Sequence, residues 1–63
     1  MPIAQVQILE GRPAHAKEAL IRAVTAAIVE SLGVKPESVR VIVQEIAPEH
    51  WGIGGATAKE LGR

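Results

Sequence analysis

The chain has 63 residues, no cysteine and a formal net charge of zero. That length supports one small domain over residues 1–63, and the lack of thiols excludes disulfide staples and thiolate metal sites. Neutrality excludes nucleic-acid binding through a broad basic face; without an apolar run of membrane-spanning length or a visible signal peptide, no membrane association and a cytoplasmic location are expected.

The first twelve residues carry the most information. Pro2 follows Met1, and methionine is expected to be removed before so small a side chain. Pro2 would then carry a secondary amine, which no other standard residue offers at a chain terminus. With Met1 in place the same nitrogen is a tertiary amide without basicity. Proline is also tolerated at the start of a strand for purely structural reasons. Ile3 to Leu9 alternates as a strand, with Ala4, Val6 and Ile8 on one face and Ile3, Gln5, Gln7 and Leu9 on the other. Gly11 ends it and leaves Arg12 in the turn. Pro2 is read as a catalytic base and Arg12 as the holder of an anionic substrate.

Pro13 suits a helix's first turn and Gly33 the position past its end, so a helix is predicted from about Pro13 to Leu32. Leu20, Val24, Ile28 and Leu32 form an i, i+4 stripe, widened by Ala16, Ala23 and Ala27. Glu18 and Arg22 are spaced for an ion pair. So wide an apolar arc exceeds what two strands can cover, and the excess predicts a subunit interface. The composition agrees: 48% of residues are hydrophobic, yet Trp51 is the only aromatic, so the core rests on Ala, Val, Ile and Leu.

Val39 to Ile46 reads as a second strand, with Val39, Val41 and Val43 opposite Arg40, Ile42 and Gln44. Strand, long helix, strand predicts an α/β fold: a β-α-β unit with parallel strands and a right-handed crossover. Pro48-Glu49-His50 reads as a turn, and the glycines of Trp51-Gly52-Ile53-Gly54-Gly55 suit a short hairpin. Ala56 to Leu61 fits either a return strand or a helical turn. The glycine-rich stretch has neither the spacing nor the lysine of a nucleotide loop. His15 and His50 lack metal-ligand spacing; Glu10, Glu45 and Glu49 are unpaired candidate acids, and no serine elbow is present. Trp51, beside the turn, is a candidate pocket wall. Arg12 and Arg40 fall at opposite ends of a parallel sheet, so uniting both with Pro2 calls for an oligomer.

Pro2-Ile3-Ala4-Gln5, Ile8-Leu9-Glu10-Gly11-Arg12, Ser38-Val39-Arg40-Val41-Ile42 and Gly52-Ile53-Gly54-Gly55, in that order, closely resemble the 4-oxalocrotonate tautomerase family over the whole length. The resemblance implies a homohexamer, a trimer of β-α-β dimers, acting in aromatic hydrocarbon catabolism without metal or organic cofactor. It implies that exposed Pro2 is the general base for a small dienol dicarboxylate such as 2-hydroxymuconate, and that Arg12 binds the distal carboxylate. Arg40 of a neighbouring subunit would engage the 2-hydroxy or carbonyl oxygen and the near carboxylate, while the Leu9 amide helps position the substrate. Trp51 stands where the family carries phenylalanine as a hydrophobic wall. An apolar pocket and nearby cations would lower the amine's basicity toward the working pH. Related Pro-based activities are the alternatives: phenylenolpyruvate tautomerisation, haloacrylate dehalogenation or semialdehyde decarboxylation. A non-catalytic oligomeric module is the alternative from another class.

Overall fold

The computed structural model describes all 63 residues. Strand β1 (Ile3–Leu9) leads through a short loop to helix α1 (Ala14–Leu32), and strand β2 (Arg40–Ile46) returns beside β1. Two short 3-10 turns, Pro36–Ser38 and Pro48–His50, flank β2. A small antiparallel pair, β3 (Gly52–Ile53) and β4 (Ala56–Thr57), follows. The predicted β-α-β unit is therefore present, and β2 starts one residue later than the alternation suggested.

β1 and β2 are parallel, in register from Ile3 opposite Arg40 to Leu9 opposite Ile46. Ala4, Val6, Ile8, Val41 and Val43 are half-buried, whereas Ile3, Gln5, Gln7, Arg40, Ile42 and Gln44 are exposed. One sheet face is thus covered and the other bare, with Ile3 at 62% and Ile42 at 50% exposure. Parallel sheets are normally covered on both faces. On the bare face the register partners Gln7 and Gln44 join side chains, Gln7 Nε2 donating to Gln44 Oε1 at 3.2 Å.

The helix ends as its sequence dictates. Gly33 adopts φ 66° and donates its N–H to the Val29 carbonyl, closing the last turn in the left-handed conformation glycine permits. At the other end Pro13 provides no side-chain cap, and the first turn has no acidic residue. Glu18 and Arg22 do not form the expected pair. The chain's single ion pair joins Lys17 to Glu45 at 2.9 Å, linking the helix to the sheet. Glu45 lies next to the final residue of β2, within reach of the helix's first turns, and a partner across the fold won over one along the helix.

The tail is a self-contained arm. Gly54 and Gly55, at φ 61° and 92°, form the two-residue reversal that a tight hairpin demands. The open alternative for Ala56 to Leu61 resolves into both forms. Ala56–Thr57 is strand, and a helical turn follows in which Leu61 donates to the Thr57 carbonyl. Thr57 Oγ1 accepts from the Glu60 amide at 3.1 Å and Glu60 Oε1 accepts from the Thr57 amide at 3.2 Å, a reciprocal capping box. Ala58 and Lys59 donate to the Trp51 and Pro48 carbonyls, and no hydrogen bond leaves the segment 47–63 for the body of the fold.

The protomer has almost no interior. Only Val39 and Ala58 are buried, and no helical residue is. Its accessible surface is 4618 Å², against about 3,900 Å² for a folded monomer of this mass. Its radius of gyration is 14.5 Å and it measures 42 × 24 × 13 Å; a compact chain of this length has a radius near 11 Å. This is a slab one helix and one sheet thick, shaped to be stacked.

Candidate active site

The candidate residues gather at the two ends of the sheet. At the β1 start, the Arg40 amide donates to the Pro2 carbonyl at 3.0 Å. That bond pins Pro2 by its own backbone, so the position of its nitrogen follows from strand pairing. Pro2 is half-buried while Met1 is 80% exposed. Arg40 Nη1 donates to the Glu37 carbonyl at 2.7 Å and the Val39 carbonyl at 3.3 Å. These carbonyls orient the guanidinium without neutralising it, and no carboxylate pairs with it.

At the other end, Leu9, Arg12 and Trp51 share a shallow pocket of about 260 Å³ with Gln7 and Ile8. Gly11, at φ 124°, takes a conformation that suits glycine and turns the chain so that Arg12 comes back toward the strand end. Arg12 Nη1 donates to the Leu9 carbonyl at 3.4 Å, and its charge too is unpaired. Trp51 is half-buried and supplies the apolar wall.

The Leu9 amide is free for a ligand within the protomer. The carbonyl of Pro2 and the amide of Glu10 both bond to β2. In a regular parallel ladder, alternate residues of a strand face the neighbour. The odd-numbered residues of β1, Leu9 among them, therefore turn their amides to the open edge.

The two ends lie far apart. Six residue steps separate Ile3 from Leu9 in the register, or about 20 Å at 3.3 Å per residue. One protomer joins the Pro2 and Arg40 backbones and, separately, brings Leu9 to Arg12 and Trp51. It does not bring the two groups together.

Of the other candidates, His15, His50, Glu10 and Glu49 are exposed, as Arg12 and Arg40 are, but none of them lines a pocket with Arg12; Glu45 is paired with Lys17. Two features escaped the sequence reading. Gln7 joins Arg12 in the pocket, which strand periodicity alone could have suggested, since Gln7 and Leu9 share a face. Lys17 and Arg12 flank a second, more apolar cleft of about 340 Å³ with Val6, Ile8, Ala16 and Leu20; that cleft exists only once the helix is laid on the strand.

The tautomerase family profile, described as tautomerase enzyme, matches residues 2–60. The chain belongs to the tautomerase family. It is an enol–keto tautomerase, an isomerase. A 2-hydroxymuconate tautomerase of Stutzerimonas stutzeri is 56% identical over 63 residues, covering all of both chains. Among solved structures, TomN, a 4-oxalocrotonate tautomerase homologue in the tomaymycin biosynthetic pathway, superposes with a TM-score of 0.92. It is 47% identical, over 94% of this tautomerase and 91% of that chain. A heterohexameric 4-oxalocrotonate tautomerase from Chloroflexus aurantiacus superposes with a TM-score of 0.92 at 39% identity, over 97% and 98% of the two chains. Oligomers are thus found in this tautomerase's family.

Proposed function

We propose that this tautomerase ketonises 2-hydroxymuconate or a closely similar dienol dicarboxylate, with Pro2, freed of Met1, as the general base. The observation that carries the reading is the division of the site: a Pro2 pinned to the Arg40 backbone at one sheet end, and a pocket of about 260 Å³ with unpaired Arg12 at the other. Each half is incomplete, and stacking copies of the chain closes the gap that one protomer leaves open.

In the assembled site the Pro2 amine takes the proton of the 2-hydroxyl. The double bonds shift along the chain, and the resulting ammonium returns a proton to carbon, so the amine is regenerated and the ketone released. Arg12 of one subunit grips the distal carboxylate; its planar fork matches both oxygens, which a lysine would not. Arg40 of a neighbouring subunit faces the 2-oxygen and near carboxylate and stabilises the negative charge that develops there. A preorganised donor of this kind is worth about 10²–10³ in rate. The Leu9 amide orients the substrate, and Trp51 covers its apolar middle. These steps need no cofactor.

The assembly proposed is a homohexamer, a trimer of dimers in which chains 1–63 each act as one domain. Its support is the bare parallel sheet face, the nearly absent protomer core and the hexameric relative. The setting proposed is the cytoplasm, in aromatic hydrocarbon catabolism; no helix of the fold is long and apolar enough to cross a membrane.

The deciding experiment follows the ultraviolet loss of 2-hydroxymuconate with protein whose intact mass shows Met1 removed. Rapid ketonisation that vanishes when Met1 is retained supports Pro2 as base. Inertness of the processed protein overturns the substrate. A second reading has its own observation: 47% identity to a homologue in a biosynthetic pathway, together with a tryptophan wall that narrows the pocket yet offers a face for stacking, keeps an aromatic enol open. Faster turnover of phenylenolpyruvate than of 2-hydroxymuconate would select it.

A further inference from the structure

We infer that Lys17 and Glu45 form a clamp that positions Arg12, making them specificity determinants for a substrate carrying a distal carboxylate. The inference rests on the reading of Arg12 given above.

Arg12 lies in the short loop 10–13 between β1 and α1. A loop holds a side chain well only if both its ends are fixed. Its first end is fixed by backbone, the Glu10 amide donating to the Ile46 carbonyl at 3.0 Å. Its second end is the start of α1, where the means that usually fix a helix start are missing: the Pro13 N-cap makes no side-chain bond and the first turn has no acidic residue. The Ala16 amide donates to the Pro13 carbonyl at 3.1 Å, but the amides before it gain no side-chain cap, and a first turn so held frays readily.

Lys17 supplies the missing tie. Its Nζ donates to Glu45 Oε1 at 2.9 Å, with the two side chains only 27% and 33% exposed. Glu45 immediately precedes Ile46, so the last two residues of β2 hold both ends of the Arg12 loop. The placement is otherwise unfavourable, because a cation near a helix N-terminus opposes the helix dipole. Glu45 offsets that cost. It also neutralises the other cation of the apolar cleft that Arg12 lines, leaving Arg12 as the unpaired cation there.

The test uses the processed, assembled protein and the variants Lys17→Met, Glu45→Gln, their double variant and Lys17→Arg. With 2-hydroxymuconate, KM is expected to rise about three- to fivefold in each single variant, the scale of one partly exposed ion pair, while kcat stays within twofold. The double variant should be no worse than either single one, since the two changes break one interaction, and Lys17→Arg should recover most of the loss. With phenylenolpyruvate, which has no distal carboxylate, KM should not move. Amide hydrogen exchange over residues 14–18 should quicken in Lys17→Met and not in Lys17→Arg. Equal KM rises for both substrates, or additive losses in the double variant, would overturn the proposal. Should the wild-type chain prove inert toward 2-hydroxymuconate, the substrate reading fails by itself, and unchanged exchange in Lys17→Met would then overturn the clamp while quickened exchange would support it.

Discussion

Arg40 donates its amide to the carbonyl of Pro2 at 3.0 Å, so the proposed base and one proposed cation are neighbours through a single rung of the sheet. Arg12 stands at the far end of the same strand pair. Active sites built this way are shared among chains, and they should complement one another. A variant with Met1 retained and an Arg12→Ala variant are each expected to be nearly inactive. Unfolded together and refolded as mixed oligomers, they should regain roughly a quarter of the sites at equal mixing, the share expected when the proposed site draws Pro2 and Arg12 from different copies. Activity that stays at the level of the separate variants would show that Pro2 and Arg12 of one and the same copy serve a site, and would overturn the sharing.

Arg12→Ala removes a bidentate, charge-assisted contact. We expect kcat/KM for 2-hydroxymuconate to fall about 100-fold, with KM raised and kcat lowered together and a native circular dichroism spectrum. Steady-state kinetics on the processed protein provide the check, and wild-type values would take Arg12 out of the site.

Ile42 sits at the centre of the bare face at 50% exposure. Ile42→Glu should split the assembly, because burying an unpaired carboxylate at a packed face is costly. Native mass measurement should show the oligomer giving way to smaller species. In the wild-type protein, the melting temperature should rise with protein concentration, since so coreless a protomer gains its stability on association. A concentration-independent melt would show that the slab folds alone.

Thr57→Ala breaks the capping box with Glu60. The cost expected is about 1 kcal/mol, read as a lower denaturation midpoint. Since Trp51 belongs to the same hydrogen-bonded arm, a modest rise in KM should accompany it.

Much of this was legible in the sequence because it depends on near neighbours. Alternation in Ile3 to Leu9 gives the strand and its two faces, and Pro13 and Gly33 bracket the helix. A parallel β-α-β order is enough to send Arg12 and Arg40 to opposite ends. What stayed hidden depends on distance in sequence. Lys17 meets Glu45 across 28 positions, and nothing in either neighbourhood announces that the register will bring them together. Glu18 and Arg22 showed the converse, since correct spacing allows a pair but does not require one. The Thr57-to-Glu60 cap was readable from its residue types and spacing, and it decides how the tail divides between strand and turn.

The hydrogen bonds that close the arm upon itself separate two kinds of change. Residues before Ala47 include the proposed base, both proposed cations and the bare sheet face, so a change there touches assembly and chemistry at once. The arm needs only its own turns intact to present whatever side chain stands at position 51. Its wall can therefore be exchanged like a cassette, changing the breadth of the pocket without disturbing the strand pairing that pins Pro2.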